Sequence, residues 1–233
     1  MTGRDEHGFP AGFFRRTDES SDDVFYADDR FVTHIDDRAI AAVGQLYDRL
    51  GLTRRVLDIM SSWVSHFRDK PAELVALGMN AAELAANTMA DSTVVRDLNI
   101  DPTLPFDDDR FDAVTCCVSV DYLVRPIEVF REAARVLAPG GVFVCTFSNR
   151  CFPTKAIHGW LANDEAMRCT IVAEYFRRSG GWAEPQIALC TLPGSPGDPL
   201  YAVWSHPEPI GAAGHDPSGC CDDEPALRHS TQN

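Results

Sequence analysis

The stretch that decides the fold is "FDAVTCCVSVDYLVRPIEVFREAARVLAPGGVFVCTFSN", residues 111–149. Both of its ends are short runs of apolar and β-branched residues, which predict buried strands. Between them, apolar residues recur at helical spacing from Pro126, a favourable first-turn residue, to a predicted stop at Pro139-Gly140-Gly141. A strand, a helix and a second strand in this order predict a parallel pair covered by the helix.

The same alternation extends along the chain in both directions. Near the C-terminus, two strand-like segments are separated by a short Gly/Pro-rich connection, which predicts an antiparallel hairpin. We therefore expect an α/β fold with a mostly parallel sheet, covered on both faces and completed by that hairpin. The further strands are predicted at 54–60, 72–79, 92–98, 185–192 and 200–206, and the further helices at 34–52, 80–90 and 164–181.

Composition limits the classes of partner. The net charge is -14, and Lys70 and Lys155 are the only lysines, so the surface is expected to repel nucleic acid and anionic membranes. Such acidity predicts a halophilic source, although an acidic mesophilic protein is the alternative. No apolar run is long enough to span a membrane, and the N-terminus lacks a signal-peptide core, which predicts a cytoplasmic protein.

The domain is expected to cover residues 31–207, preceded by an irregular lead-in at 1–30 and followed by a disordered acidic tail at 208–233. The eight cysteines show no C-x-x-C spacing, and most lie in strand-like runs, so buried free thiols are expected. His215, Cys220, Cys221 and His229 come together in the tail, but its composition argues against a metal site. We predict no metal.

The segment "LPFDDDRFDAVTCCVSVDYLVRPIEVFREAARVLAPGGVFVCTFSN" (104–149) resembles the class I S-adenosylmethionine-dependent methyltransferases, in particular the small-molecule type 11 group. The resemblance runs from about Arg54 to Val144. It implies a three-layer Rossmann-like methyltransferase fold, S-adenosylmethionine as cofactor and methyl transfer to a small molecule. In such open sheets the ligand lies beyond the carboxyl ends of the strands, where the strand order reverses.

Two departures from the family's pattern stand out. The turn after the first strand, which is glycine-rich in the family, is Met60-Ser61-Ser62-Trp63-Val64 here. Without glycine the backbone approaches a ligand less closely, so a narrowed pocket is expected. Asn80 stands where the family has the acid that binds the ribose hydroxyls, and Glu83, one turn further on, could compensate.

The candidate site residues follow from the strand ends and from the resemblance. Asp58 could equally be a structural cap, and an N-cap is the preferred interpretation of Ser61 and Ser62. Trp63 could fill space rather than stack on a ligand, and helix capping explains Asp121 nearly as well as catalysis. The candidates are Asp58, Ser61, Ser62, Asn80, Asp97, Leu98 and Ser119 for the cofactor; Asp121 and Tyr122 for catalysis; and Trp63, His66, Asn149, Arg150, His158 and Trp160 for the substrate.

Two functions from different classes fit this sequence. The first is methyl transfer from S-adenosylmethionine to an unidentified small acceptor, which depends mainly on positioning donor and nucleophile. The second is a methyltransferase-like binding or scaffolding protein that no longer binds the cofactor, and a different metabolite in the reshaped crevice is a weaker third. The deciding feature is whether the Trp63 ring blocks the crevice.

Overall fold

The computed structural model describes residues 3–194 and 196–208, which form a seven-stranded sheet in the order β3-β2-β1-β4-β5-β7-β6. Strands β1 to β5 are parallel, whereas β7 pairs antiparallel with both β5 and β6. This confirms the predicted parallel sheet and its antiparallel hairpin. The strands are β1 (Arg55–Ile59), β2 (Glu73–Gly78), β3 (Ser92–Val95), β4 (Phe111–Cys117), β5 (Leu137–Phe147), β6 (Gln186–Leu189) and β7 (Tyr201–Ser205).

The helices begin largely where the capping residues predict. The Asp36 carboxylate caps the second helix by accepting the Ala39 N–H at 2.9 Å, and Pro126 opens the fourth. The helices are α1 (Asp22–Phe25), α2 (Asp37–Arg49), α3 (Ala81–Ala86), α4 (Pro126–Val136), α5 (His158–Leu161) and α6 (Glu165–Ser179).

The predicted stop of α4 at Pro139-Gly140-Gly141 is wrong. The helix ends at Val136, and these three residues lie within β5. Gly140 has a left-handed φ of 80°, and the β4–β5 register shifts between Phe111 and Ala113. The glycine therefore permits an irregular strand start rather than capping the helix.

Helices cover the sheet on both faces. On one face, α4 and α6 bury a cluster of aromatic rings that includes Phe130, Phe143 and Phe176. On the other face, α2 packs against inward-facing residues of the central strands, and Tyr47 of α2 stacks on Phe67 at 4.6 Å. Successive residues of a strand point to opposite faces, as Val56 and Leu57 of β1 do, so the sheet is the middle layer of three.

The connection from β1 to β2, residues 60–72, contains no helix. Thirteen residues are few for two turns and a helix, and Pro71 ends the segment. The predicted N-cap role of Ser61 and Ser62 is therefore wrong, because no helix starts there. The first turn also lacks the helix N-terminus that would favour a negatively charged ligand group.

The lead-in packs against the domain and contains α1. Lys155 is fully buried, and its ammonium lies 3.1 Å from the Asp18 carboxylate and 3.2 Å from that of Asp22. Asp22 also pairs with the buried Arg16 at 2.7 Å. Nearer the N-terminus, Phe9 packs on Tyr175 of α6. Buried ion pairs and aromatic packing thus hold the lead-in in place.

Three expectations concern other parts of the chain. In the described residues, no helix is long and apolar enough to cross a membrane. The six described cysteines are free thiols, of which three are buried and three are half-buried. The predicted tail and its cluster of His215, Cys220, Cys221 and His229 lie outside the described residues.

Candidate functional site

A crevice of about 1140 Å³, which includes its solvent-open mouth, lies at the carboxyl ends of the strands. The strand order reverses between β1 and β4, which is where open α/β sheets bind ligands. The turns after β1, β2, β3 and β4 form one wall, and residues 22–34, which are the end of the lead-in and the segment that follows it, form the other, called the lead-in wall here. Of the sequence-predicted residues, the structure brings together Asp58, Ser61, Ser62, Trp63, His66, Asn80, Asp97, Leu98, Ser119 and Tyr122.

The first turn folds without glycine at some conformational cost. Met60, at the family's first glycine position, has a left-handed φ of 52°. The next residue, Ser61, donates its N–H to the Leu77 carbonyl at 2.8 Å, so the turn lies across the end of β2. A glycine is needed instead at the end of β2, because a Cβ on Gly78 would overlap the Ser61 carbonyl oxygen. A non-glycine residue with left-handed φ is uncommon and often marks a functional site.

Asp58 holds this turn through hydroxyl groups. Its carboxylate accepts hydrogen bonds from Ser61 and Ser65 at 2.7 Å and from Thr115 at 2.6 Å. Burial raises the pKa of the Asp58 carboxyl, although these hydrogen bonds act in the opposite direction. Asp58 therefore positions the first turn through side-chain hydroxyls, and it caps no helix, because none starts after β1.

Asn80 differs from the family's acid because it performs two structural tasks. Its side-chain oxygen caps α3 by accepting the N–H groups of Ala82 and Glu83, at 2.9 and 3.0 Å. Its amide nitrogen donates to the Tyr26 carbonyl at 3.1 Å and to the Asp29 carboxylate at 2.9 Å. A carboxylate could not make the last two bonds. With both side-chain groups engaged, Asn80 is a poor candidate for direct cofactor binding.

Glu83 is the acidic residue that this part of the crevice does provide. One carboxylate oxygen accepts the Arg30 backbone N–H at 2.6 Å, and the other accepts the Ser62 hydroxyl at 2.5 Å. Each carboxylate oxygen has two lone pairs, so acceptor capacity remains. Glu83 therefore keeps free acceptor positions close to Asn80, and it also joins the first turn to the lead-in.

The turn after β3 supplies Asp97 and Leu98. Leu98 is buried, and one Asp97 oxygen accepts the Asn99 N–H at 2.8 Å. Burial raises the pKa of the Asp97 carboxyl, opposed mainly by that hydrogen bond. An apolar surface beside a carboxylate suits a planar ring that carries an amino group, as the resemblance implies for adenine.

The turn after β4 contains a second left-handed residue, Val118, with a φ of 48°. A β-branched residue in this conformation is a genuine outlier. The Ser119 hydroxyl lies 2.8 Å from the Cys117 carbonyl and 3.2 Å from that of Met60, so it links the two strained turns. Tyr122 contributes to the wall, and its phenol oxygen accepts the Phe152 N–H at 2.8 Å.

Asp121 does not line the crevice. Its side chain is 2% exposed, and its Oδ2 atom has no hydrogen-bond partner in the described residues. Burial raises the pKa of the Asp121 carboxyl to about 7. The predicted catalytic role is corrected on geometric grounds, because a buried carboxyl behind the wall cannot reach a substrate in the crevice.

Trp63 leaves the crevice open. Its indole N–H donates to the Val32 carbonyl at 3.1 Å, and its ring meets Phe31 edge to face at 6.2 Å. The ring therefore attaches the first turn to the lead-in wall and lines the crevice without filling it. The Trp63 ring therefore does not block the crevice, which was the feature that the sequence left undecided.

Sequence reasoning missed the wall that the lead-in provides. Tyr26, Arg30 and His34 line the crevice, and His34 packs edge to face on Phe152 at 5.3 Å. Burial lowers the pKa of His34, and it lowers the pKa of His66 to about 4. The clustered aromatic residues of the lead-in were the available signal, but their partners lie far away in the sequence.

The predicted substrate residues of the 149–160 segment lie elsewhere. Trp160 is 1% exposed and packs on Phe147 at 4.9 Å, so it is a core residue that cannot contact a substrate. Arg150 pairs with Asp198 at 2.8 Å. Asn149 and His158 are exposed outside the crevice, and Phe152 is the residue of this segment that lines it.

Residues 59–145, which include the strand ends of the crevice, match the family described as a methyltransferase domain. A benzoquinol methylase from Danio rerio, 2-methoxy-6-polyprenyl-1,4-benzoquinol methylase, is 38% identical over 73 residues, which are 31% of this chain and 21% of that protein. A demethylmenaquinone methyltransferase from Clavibacter sepedonicus is 40% identical over 73 residues, which are 30% of each protein. The chain therefore covers less than a third of these relatives' lengths.

Solved structures show the same fold. The PH0226 protein of Pyrococcus horikoshii superposes with a TM-score of 0.53 at 17% identity, covering 72% of this chain and 89% of that one. A SAM-dependent methyltransferase of Thermotoga maritima gives 0.52 at 15% identity, with 72% and 89% covered. The chain therefore has the Rossmann-like α/β fold of these structures, and its residues 59–145 are similar to the methyltransferase domain family.

Proposed function

We propose that this protein transfers a methyl group from S-adenosylmethionine to a small-molecule acceptor. The observation that carries the proposal is the open crevice at the β1–β4 switch point, whose sheet wall lies within the part of the chain that matches the methyltransferase domain. The crevice is lined by both acidic and aromatic side chains, which include Glu83, Asp97 and Phe152.

The residues of the crevice fit the cofactor. Glu83 has free acceptor capacity for ribose hydroxyls, and Asp97 with Leu98 offers a carboxylate and an apolar surface for the adenine ring. The first turn would contact the methionine part through Ser61 and Ser62. When bound, the cofactor supplies an electrophilic methyl group on a sulfonium.

The chain's own contribution is positioning and proton acceptance. His34 and His66 line the crevice, and their lowered pKa values keep both imidazoles neutral at pH 7. A neutral imidazole can accept the proton that an acceptor hydroxyl or amine loses during methylation. Tyr26, Tyr122 and Phe152 also line the crevice and offer apolar ring surfaces on which an acceptor can be positioned.

The non-catalytic alternative depended on a blocked crevice. Because the Trp63 indole is held on the lead-in by the Val32 carbonyl, the crevice stays open and the enzyme is the better supported function. The acceptor is not assigned by the relatives, since the matched 73 residues are a small part of the quinol and menaquinone enzymes named above. The substrates of those enzymes are therefore not carried over to this chain.

A calorimetric titration with S-adenosylhomocysteine tests the proposal. We expect micromolar binding to the full chain, measured at low and at molar KCl because of its net charge of -14. Asp97→Ala should weaken binding roughly tenfold through loss of a charged acceptor. Asp69→Ala is the matched control, since Asp69 is exposed and lies outside the crevice. No heat and no thermal stabilisation at millimolar ligand would overturn the proposal.

A further inference from the structure

One part of the crevice is an aromatic compartment built jointly by the lead-in and the segment after β5. Phe152 lies at its centre, with ring centroids 5.4 Å from Phe25, 5.3 Å from His34 and 6.0 Å from Tyr122. Such spacings are those of edge-to-face and offset aromatic contacts. The compartment adjoins the sheet wall, where Glu83 and Asp97 lie, without including those cofactor-side residues.

Arg30 brings a positive charge to this compartment. Its guanidinium lies 4.6 Å from the Phe25 ring centroid and 5.8 Å from that of Phe152. Its side chain donates only to two backbone carbonyls, those of Phe25 at 2.7 Å and Asp28 at 3.3 Å. No carboxylate lies within ion-pair distance of Arg30 in the described part of the chain.

An unpaired arginine is unusual in this setting. The other arginine of the crevice, Arg96, is paired with Asp101, and the protein as a whole carries a net charge of -14. A guanidinium has five donor hydrogens in a planar fork that matches a carboxylate. The acids that line the crevice are Asp22, Asp58, Glu83 and Asp97, whereas Arg30 is the lining arginine without a carboxylate partner among the described residues, so its guanidinium is the best place for an anion.

We propose that the methyl acceptor is an aromatic carboxylic acid, whose ring packs against Phe152 and whose carboxylate pairs with the Arg30 guanidinium, which has no carboxylate partner among the described residues. This inference rests on the proposed methyltransferase function and assigns its acceptor class. The aromatic surface selects a planar ring, and Arg30 fixes which end of the acceptor points toward the lead-in. The opposite end then faces the sheet wall, where the methyl donor is expected.

The test separates ring from charge with three small probes. Benzoate carries both, benzamide keeps the ring without the charge, and cyclohexanecarboxylate keeps the charge without the aromatic ring. Titrated into the full chain saturated with S-adenosylhomocysteine, benzoate should bind at least about tenfold more tightly than either of the others. Equal binding of benzoate and benzamide would overturn the assignment.

Variants of Arg30 locate the effect. Arg30→Gln keeps the backbone N–H that Glu83 accepts, and it should abolish the preference for benzoate over benzamide, whereas Arg30→Lys should retain part of it. Arg38→Gln is the control, because Arg38 is an exposed arginine that donates to the Pro196 carbonyl, far from the compartment. If Arg30→Gln and Arg38→Gln both keep the wild-type preference for benzoate over benzamide, the inference is wrong.

Two results distinguish failure of the proposed methyltransferase function from failure of the proposed acceptor class. Failure of the wild-type chain to bind S-adenosylhomocysteine would count against the methyltransferase function itself. Normal binding of that ligand together with an unchanged benzoate preference in Arg30→Gln would count against the acceptor class alone. Should Arg30→Gln fail to fold, the three-probe series on the wild-type chain still decides between the outcomes.

Discussion

The two walls of the crevice are built in different ways. The sheet wall consists of turns that follow β1 to β4, and each turn is fixed by a strand next to it. The lead-in wall consists of residues 22–34, held by partners far along the chain, such as Asn80 for Tyr26 and Lys155 for Asp22. The sheet wall therefore follows from the fold, whereas the lead-in wall depends on a few polar contacts, and each of the following predictions tests one side of this difference.

The largest effect is expected where the lead-in is anchored. Lys155→Met removes a fully buried ammonium and leaves the Asp18 and Asp22 carboxylates without it. Breaking a buried ion pair on one side costs about 3–5 kcal/mol of unfolding free energy. Chemical denaturation at pH 7 measures the loss, and protection of the lead-in amides from hydrogen exchange should fall with it.

The other lysine of the chain is the matched control. Lys70 pairs with Asp91 at 2.6 Å, but both side chains are 42% exposed. Lys70→Met should therefore change the unfolding free energy by less than about 1 kcal/mol. Similar losses for the two variants would show that the buried pair does not anchor the lead-in.

A pH-dependent effect is expected behind the sheet wall, at Asp121. Its pKa of about 7 lies above the ordinary value of 3.8, so the folded state keeps a proton that the unfolded state releases between about pH 4 and 7. Stability from this group is present at low pH and is lost as the pH rises, by up to about 1.4 kcal/mol per pH unit. Arg168 and the phenols of Tyr26, Tyr122 and Tyr175 are charged or titratable groups around it.

Asp121→Asn isolates this contribution. The lowered pKa of His66 has the opposite sign, since its stability is present above about pH 6.5 and is lost as the pH falls toward 4. The wild-type profile mixes both groups, so the informative quantity is the variant's unfolding free energy minus that of the wild type. That difference should increase from pH 4 to pH 7 and then level off, and a flat difference would contradict the raised pKa.

Sequence reasoning reached the sheet wall because strands and their turns are local patterns. The positions of Asp58, Asp97 and Ser119 follow from strand ends and from the family's order of landmarks. Arg30 and His34 were missed, because their places are fixed by contacts such as the hydrogen bond from Arg30 to Glu83, which spans 53 residues. Asn80 looked like a weakened ribose ligand, and its four hydrogen bonds show instead why an amide is needed there.

Asn80→Asp tests that explanation. The variant restores the family's acid and still caps α3, but it loses the donation to the Tyr26 carbonyl and places a carboxylate against that of Asp29. The lead-in should loosen by about 1–3 kcal/mol, and hydrogen exchange at residues 26–34 should accelerate accordingly. Asn80→Ser keeps the cap without the donors or the new charge, so a smaller acceleration in that variant measures the repulsion separately.

The smallest change in stability, but an informative change in affinity, is expected at Met60. Met60→Gly relieves a left-handed φ of 52° at a cost in chain entropy and lost packing, so the unfolding free energy should stay within about 1 kcal/mol of the wild type. Removing the Cβ lets the first turn approach a ligand more closely, which should strengthen S-adenosylhomocysteine binding several-fold. Val118→Gly relieves the other strained turn without altering the first one, and it serves as the control. Equal gains in both variants would mean that general loosening of the sheet wall, rather than the glycine-free turn, limits the affinity.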